Sequence, residues 1–242
     1  MTSSRRMGFL FTPVKYKHLL FDLDHTLWDF QTNSLLTLRE LFDELDLRRF
    51  FTDFETFYSL YEDNNLRLWA DYRKGLISKK ELNFQRFYHP FNVSGFDEPE
   101  LAKKYGDEFV KRSPLKKELM PGAIEILEYL KPKYSLHIIT NGFREVQDVK
   151  LEVSGLGKYF DRIFISELIG VQKPDTYFFE YAVRSLNASK KECLVIGDSY
   201  EADILGAQNF GLDHVFYNVN KEKHDKSVMY EIYALDQLKS IL

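Results

Sequence analysis

The chain has 242 residues, of which 44% are hydrophobic and 29% are charged, and its net charge is −4. This composition is typical of a folded globular protein and excludes a disordered or fibrous chain. The negative net charge and the lack of a long basic run exclude the electrostatic footprint expected of a nucleic-acid-binding protein.

The N-terminal segment and the single cysteine indicate the compartment. Residues 7–11 are mostly apolar, but Thr12 and Pro13 interrupt them, and a signal-peptide core needs about 7–15 such residues. We therefore expect residues 1–15 to form a loose leader. No segment reaches the roughly 18 apolar residues of a membrane span. Cys193 lies in an apolar run and is expected to be buried and reduced, so the sequence predicts a cytoplasmic protein that contacts no membrane.

The first predicted element is a short buried strand at residues 18–22. Asp22 ends its apolar run, and Asp24 follows two residues later. Two carboxylates at this position cost several kcal/mol to bury unless other groups compensate them. In open α/β sheets, ligands bind outside the carboxyl ends of the strands. Asp22 and Asp24 are therefore predicted to belong to a metal and nucleophile site.

The following segment, residues 29–113, is predicted to contain only helices. Apolar residues recur there with the spacing of one helical face. The predicted boundaries are a capping box at 52–55, a stop at Gly75, a second capping box at 78–81, a stop near Pro90, a start near Pro99 and a break at Ser113 and Pro114. Four helices without an intervening strand predict a helical bundle inserted directly after the acidic strand.

From residue 114 onward, predicted strands alternate with predicted helices. The strands fall at residues 136–139, 162–165, 193–196 and 214–219. This alternation predicts an α/β fold with a doubly wound parallel sheet of the Rossmann type. We therefore divide the chain into an α/β core, residues 1–28 and 114–242, and an inserted all-helical domain, residues 29–113.

Further polar residues follow the later strands or precede helices. They are Thr140, Asn141, Lys173, Asp198 and Asp203. Parallel strands end at one edge of a sheet, so these residues are expected to converge on the first acidic pair. Oxygen ligands without His or Cys favour a hard cation, and Mg²⁺ is the usual one beside phosphate. A hydroxyl, the N–H groups at a helix start and a lysine would form an anion cradle beside it.

Four motifs in this order resemble those of the haloacid dehalogenase-like hydrolases. They are Asp22-Leu23-Asp24-His25-Thr26, Ile139-Thr140-Asn141-Gly142, Lys173-Pro174 and Gly197-Asp198-Ser199-x-x-x-Asp203. The helical insertion looks like the small helical cap of that superfamily, and the resemblance covers almost the whole chain. Residues 68–77, 139–143 and 166–171 are similar, more narrowly, to the house-cleaning pyrimidine 5′-nucleotidases.

The resemblance implies a Mg²⁺-dependent phosphomonoester hydrolase with an aspartyl-phosphate intermediate. Asp22 would attack the phosphorus, and Asp24 would serve as general acid and then as general base. Mg²⁺ would be bound by the Asp22 carboxylate, the Asp24 backbone carbonyl and Asp198, with Asp203 close by.

The same resemblance implies how the substrate is bound. Thr140, the Asn141 N–H and Lys173 would hold the phosphoryl oxygens. The substrate would be a small phosphomonoester, a pyrimidine nucleoside monophosphate in the narrower reading, and the protein a monomer or weak homodimer. Trp69 and Tyr72, near the end of the long helix, either stack on the base or pack inside the cap.

Three other functions were weighed against this reading. A receiver domain is a single small sheet domain and has no helical bundle after its first strand. Dehalogenases of the same superfamily lack the acid at the position of Asp24. A sugar or small-metabolite phosphatase, or a phosphomutase, shares both aspartates and therefore remains an alternative.

Overall fold

A computed structural model describes residues 15–242, so almost all of the predicted leader at residues 1–15 lies outside the described residues. The core is a six-stranded, fully parallel sheet with the order β3-β2-β1-β4-β5-β6. Its strands are β1 (His18–Phe21), β2 (Ser135–Thr140), β3 (Arg162–Ile165), β4 (Cys193–Gly197), β5 (Asp213–Tyr217) and β6 (Tyr230–Ile232). The predicted fold class is confirmed, and β6, a three-residue edge strand, is an element that the sequence analysis missed.

Nine α-helices accompany these strands in the described part of the chain. The inserted segment contains α1 (Phe30–Glu44), α2 (Phe54–Arg73), α3 (Lys79–Val93) and α4 (Pro99–Arg112). The core contains α5 (Ala123–Leu130), α6 (Arg144–Val153), α7 (Ser166–Ile169), α8 (Thr176–Ser185) and α9 (Gly206–Phe210). Among residues 15–242, no helix is both long and apolar enough to cross a bilayer.

The sheet is buried on both faces because successive side chains of its central strands point to opposite sides. In β1, Leu19 and Phe21 pack into one apolar cluster together with α5, whereas Leu20 packs into a second cluster together with α8. The apolar runs read from the sequence are therefore the two-sided core of a doubly wound sheet. Because both faces are covered, only the ends of the strands can expose side chains to a ligand.

The four inserted helices, which we call the cap, share an aromatic core of their own. The Phe87 ring is fully buried and lies 5.2–5.4 Å, centroid to centroid, from the rings of Tyr61, Tyr105 and Phe109. These contacts join α2, α3 and α4. The cap therefore has an apolar core that is separate from the core of the sheet.

Two predicted helix boundaries in the cap are wrong. Helix α2 is capped by Asp53, whose carboxylate accepts a hydrogen bond from the Thr56 N–H at 2.8 Å, and not by Thr52 as a capping box would require. Helix α3 continues through Pro90 to Val93. Pro90 removes one backbone hydrogen bond, but Pro90 and Phe91 are both buried, and this packing keeps the last turn helical.

The two connections between cap and core run side by side. The Asp29 N–H donates to the Glu118 carbonyl at 3.1 Å, and the Met120 N–H donates to the Leu27 carbonyl at 2.9 Å. The Asn33 side chain also bonds both backbone polar groups of Glu118. Because the first connection starts six residues after β1 ends, the cap leaves and rejoins the core beside the carboxyl end of that strand.

We predict that Phe87→Ala lowers the free energy of unfolding by about 3–5 kcal/mol, because it removes a fully buried ring and leaves a cavity. Urea titration followed by circular dichroism measures this loss. Leu76→Ala, at a side chain that is 68% exposed, is the matched control and should change stability by less than about 0.5 kcal/mol. Equal losses in the two variants would contradict the assignment of Phe87 to the cap core.

Candidate active site

The site lies at the carboxyl end of β1, where the strand order changes direction between β2 and β4. Asp22 is the first residue after β1, and its backbone N–H bonds the Ile196 carbonyl of β4 at 2.8 Å. Its carboxylate accepts a 2.6 Å hydrogen bond from Lys173 Nζ. Burial raises the pKa of Asp22 to about 7, with a further contribution from Asp203, while Lys173 acts in the opposite direction.

Lys173 is completely buried and donates all three of its ammonium hydrogen bonds to protein oxygens. They go to Asp22 and Asp203, both at 2.6 Å, and to the Ile139 carbonyl at 2.9 Å. Burial alone would lower the pKa of Lys173, but the two carboxylates raise it above its ordinary value. Lys173 is therefore a fixed positive charge in the middle of the acidic site.

Asp203 reaches this lysine because the chain after β4 forms one wide turn of π-helix, Tyr200–Leu205. The other Asp203 oxygen accepts the Ser199 N–H at 3.1 Å, which holds the side chain against the end of β4. A Cβ atom on Gly197 would lie 2.3 Å from the Asp203 carboxylate, so only glycine fits there. The π-helical turn and Gly197 together bring a residue six positions past the strand back to the strand end.

Asp198 completes a group of three carboxylates. One oxygen each of Asp22, Asp198 and Asp203 lie within 4.8 Å of one another. Burial, together with the charges of Asp22 and Asp203, raises the pKa of Asp198 well above its ordinary value. Thr26 donates to Asp198 at 3.0 Å, yet Lys173 supplies one positive charge for three carboxylates. Three carboxylates with only one neighbouring positive charge, and with oxygen as the only donor atom, fit a divalent hard cation.

Asp24 is bound by two residues of α6. Lys150 Nζ donates to one carboxylate oxygen at 2.5 Å, and Gln147 Nε2 donates to the other at 2.9 Å. Burial raises the pKa of Asp24, but the Lys150 ammonium more than offsets this, so that the pKa lies below its ordinary value. The Lys150 ammonium also lies 4.2 Å from the centroid of the Trp28 ring. Asp24 is therefore an ionised carboxylate in a fixed position.

The residues after β2 form the predicted cradle. Thr140 Oγ1 accepts hydrogen bonds from the Gly142 N–H at 3.0 Å and from Gln147 at 2.7 Å, so its own O–H is left to donate. The Asn141 side chain bonds the backbone N–H and carbonyl of Lys173, both at 2.9 Å. Asn141 thus fixes the loop that carries Lys173, and it also lines the cavity beside the site.

A cavity of about 360 Å³ lies between this site and the cap. Asp22, Asp24 and Lys173 line one side of it, and residues of α2, α3 and α4 line the other. Its size suits a small molecule. The structure thus places all seven predicted core residues around the floor of one cavity.

The two predicted cap aromatics have different positions. The half-buried Trp69 ring stacks on Phe143, with centroids 5.5 Å apart, and also lines the cavity. Tyr72 packs edge-on against the same Phe143 ring at 5.7 Å and is not one of the lining residues. Both rings therefore pack where cap and core meet, against Leu68 and Leu82 of the cap and Phe143 of the core, and of the two only Trp69 also lines the cavity.

Sequence analysis missed Gln147 and Lys150. Together with Phe143 and Leu151 they occur at spacing i, i+4, i+7 and i+8, which is one face of α6. All four residues are buried. Polar residues at helix positions where the spacing predicts buried apolar side chains are the sequence signal that could have identified Gln147 and Lys150.

Comparisons with known proteins agree with this geometry. The family model of the haloacid dehalogenase-like hydrolases matches residues 16–211, a range that contains every motif of the site. PynA, a pyrimidine 5′-nucleotidase of Streptococcus pneumoniae, is 36% identical over 233 residues, which cover 94% of this chain and 95% of PynA. The pyrimidine 5′-nucleotidase YjjG of Escherichia coli is 32% identical over 235 residues, which cover 95% of this chain and 99% of YjjG.

A solved structure is similar over the same extent. The putative HAD-hydrolase YfnB of Bacillus subtilis, solved with bound magnesium, superposes with a TM-score of 0.86 at 30% identity. The superposition covers 94% of this chain and 99% of YfnB, so it includes both the sheet and the cap.

We predict that Mg²⁺ stabilises the protein more at about pH 8 than at about pH 5.5. The raised pKa values of Asp22 and Asp198 mean that the metal-free fold loses stability as pH rises from about 4 through the folded-state values, and a cation removes this loss. Melting curves recorded with chelator and with Mg²⁺ at each pH measure the stabilisation by Mg²⁺. Distant histidines titrate equally in both samples, so their effect cancels in the difference between the two melting temperatures. Stabilisation that is independent of pH, or undiminished in Asp198→Asn, would contradict this cation site.

Proposed function

Because the chain belongs to the haloacid dehalogenase-like hydrolases, we propose that it is a Mg²⁺-dependent phosphatase that hydrolyses pyrimidine nucleoside 5′-monophosphates. The observation that carries the proposal is the convergence of Asp22, Asp24, Asp198 and Lys173 beneath a roofed cavity. The narrower substrate class is supported by the likeness to two pyrimidine 5′-nucleotidases along almost the whole chain.

Asp22 is proposed as the nucleophile. Its carboxylate is buried at the strand end and held by Lys173, which leaves little freedom to rotate. Attack of its oxygen on phosphorus forms an aspartyl-phosphate as the bond to the nucleoside O5′ breaks. Water then cleaves the new phosphorus–oxygen bond and releases inorganic phosphate, so one difficult step becomes two easier ones.

Asp24 is proposed as the proton carrier for both steps. Lys150 and Gln147 fix its carboxylate beside the nucleophile, in the ionised form that accepts a proton from water. A bound phosphoryl group brings negative charge close to Asp24, which raises its pKa and favours the protonated form needed at the leaving O5′. Lys150 and Gln147 are therefore proposed as positioning residues.

The carboxylates of Asp22 and Asp198, with Asp203 close by, would hold Mg²⁺. When bound, the cation neutralises negative charge on the phosphoryl oxygens. We assign the free O–H of Thr140 and the backbone N–H of Asn141 to the same oxygens, because both end at the floor of the cavity. Lys173 acts on them through its charge, since its three hydrogen bonds are already used.

A phosphate-release assay over nucleoside monophosphates and sugar phosphates tests the proposed function. We predict the highest kcat/KM for a pyrimidine monophosphate, and loss of activity with chelator that Mg²⁺ restores and Ca²⁺ restores poorly, because Ca²⁺ prefers more ligands at longer distances. A higher kcat/KM for sugar phosphates would favour the alternative phosphatase, and turnover of a sugar bisphosphate to its isomer would favour a phosphomutase. Full activity in chelator would overturn the metal-dependent scheme.

We predict that Asp24→Asn lowers kcat/KM for UMP by about 10²- to 10⁴-fold, because the leaving O5′ is no longer protonated. The loss for p-nitrophenyl phosphate should be much smaller, since nitrophenolate leaves without a proton. The ratio of the two kcat/KM values checks this, because kcat/KM reports the steps up to release of the leaving group. Equal losses on both substrates would contradict the role as general acid.

A further inference from the structure

One buried charged residue of the cap, Arg86 on α3, is only 4% exposed and makes no ion pair within residues 15–242. In this part of the chain its one side-chain hydrogen bond runs from Nη2 to Asn83 Oδ1 at 2.8 Å, and its Nε–H has no hydrogen-bond partner. The guanidinium also lies 5.3 Å and 5.6 Å from the ring centroids of Phe87 and Phe109. Burial lowers its pKa, and within residues 15–242 only the nearby Tyr61 hydroxyl opposes this effect. A buried guanidinium without a carboxylate partner destabilises a folded domain, so a purely structural role does not account for it.

A second buried polar group lies on the neighbouring helix. Asn65, on α2, is 8% exposed, and its Oδ1 accepts no hydrogen bond from the described part of the chain. Asn65 and Arg86 both line the cavity above Asp22 and Asp24. Both side chains therefore lie beside the same space as the catalytic floor, and each carries one buried polar atom without a partner among residues 15–242.

These two groups differ in what they require of a ligand. The Arg86 Nε–H needs an acceptor, whereas the Asn65 carbonyl oxygen needs a donor. A second phosphate or a carboxylate offers only acceptors when ionised and would leave Asn65 unsatisfied. The edge of uracil or thymine offers a keto oxygen next to an N–H, which matches both. Beside them, Leu66, Trp69 and Phe109 give the cavity apolar surface that suits the faces of a flat ring.

We propose that Arg86 and Asn65 form the base subsite of the cap, with Arg86 donating to a keto oxygen and Asn65 accepting from the ring N–H of a uracil or thymine nucleotide. This inference rests on the proposed nucleotidase function and adds to it the residues that select the base. Selectivity then arises because a substrate without that edge leaves both groups unpaired.

A variant without the guanidinium distinguishes base recognition by Arg86 from a role in the stability of the cap. Arg86→Met keeps most of the side-chain volume and should lower kcat/KM for UMP by about 10- to 150-fold. Ribose 5-phosphate carries the same phosphoryl group and sugar without a base, so its kcat/KM should change by less than about threefold. The melting temperature should stay level or rise, because an unpaired buried charge has been removed.

Three further variants act as controls. Arg67→Met removes an exposed cap arginine that pairs with Asp71 at 3.1 Å, and it should affect neither substrate. Asn65→Leu should repeat the selective loss on UMP, and Arg86→Lys should recover part of the activity on UMP because an ammonium still donates. If Arg86→Met were to fold poorly, Asn65→Leu and Arg86→Lys would still test the subsite.

Binding of uridine gives a readout that does not depend on turnover. Uridine has the base but no phosphate, so its competitive inhibition constant should rise in Arg86→Met by a factor similar to the loss on UMP, while that of inorganic phosphate stays constant. Equal losses on UMP and ribose 5-phosphate, or unchanged inhibition by uridine, would overturn the base subsite alone. Wild-type protein that hydrolyses UMP no better than ribose 5-phosphate would overturn the proposed nucleotidase function as well.

Discussion

The buried Lys173 is the group on which the rest of the site depends. Its ammonium joins Asp22, at the end of β1, to Asp203, from the π-helical turn after β4, and to a backbone carbonyl of β2. A single side chain thus fixes three neighbouring strands at one edge of the sheet. Without it, carboxylates close together would repel one another by several kcal/mol in this partly desolvated environment.

The cap makes this arrangement of charge effective. Its two connections run side by side next to the end of β1, and its helices lie over a cavity above the carboxylates. Burial strengthens the electrostatic contacts on the floor, including the Lys150–Asp24 pair. The same helices present Arg86 and Asn65 on the opposite side of the cavity. In the proposed function, the floor of the cavity binds the phosphoryl group and the cap selects the leaving nucleoside.

The sheet and its acidic edge could be predicted because their signals are local. Apolar runs that end in Asp22 or Asp198 mark a strand and its carboxyl end directly in the sequence. The three-residue strand β6 could not be predicted, since so short an edge strand has no readable period. The sequence predicts a helix stop near Pro90 because it does not show the tertiary packing that offsets the missing hydrogen bond of this proline.

The residues that support the site were harder to predict for a related reason. Lys150 and Arg86 each lie on the buried face of an amphipathic helix, where helical periodicity predicts apolar residues. A search for strand-end motifs does not reach them, and the partner of Lys150 is distant in sequence, since Asp24 lies 126 positions away. The role of a polar residue on the buried face of a helix can be assigned only when the fold shows which residues lie opposite it.

Turnover by an Asp22→Asn variant tests the central claim most directly, because the amide preserves the volume of the side chain and removes its nucleophilic charge. Asp148→Asn, at an exposed position of α6, is the matched control. The account predicts a folded Asp22→Asn protein with no phosphate release from UMP above background, beside a control with wild-type kcat. An Asp22→Asn variant that retains most of the wild-type kcat would contradict the assignment of Asp22 as the nucleophile.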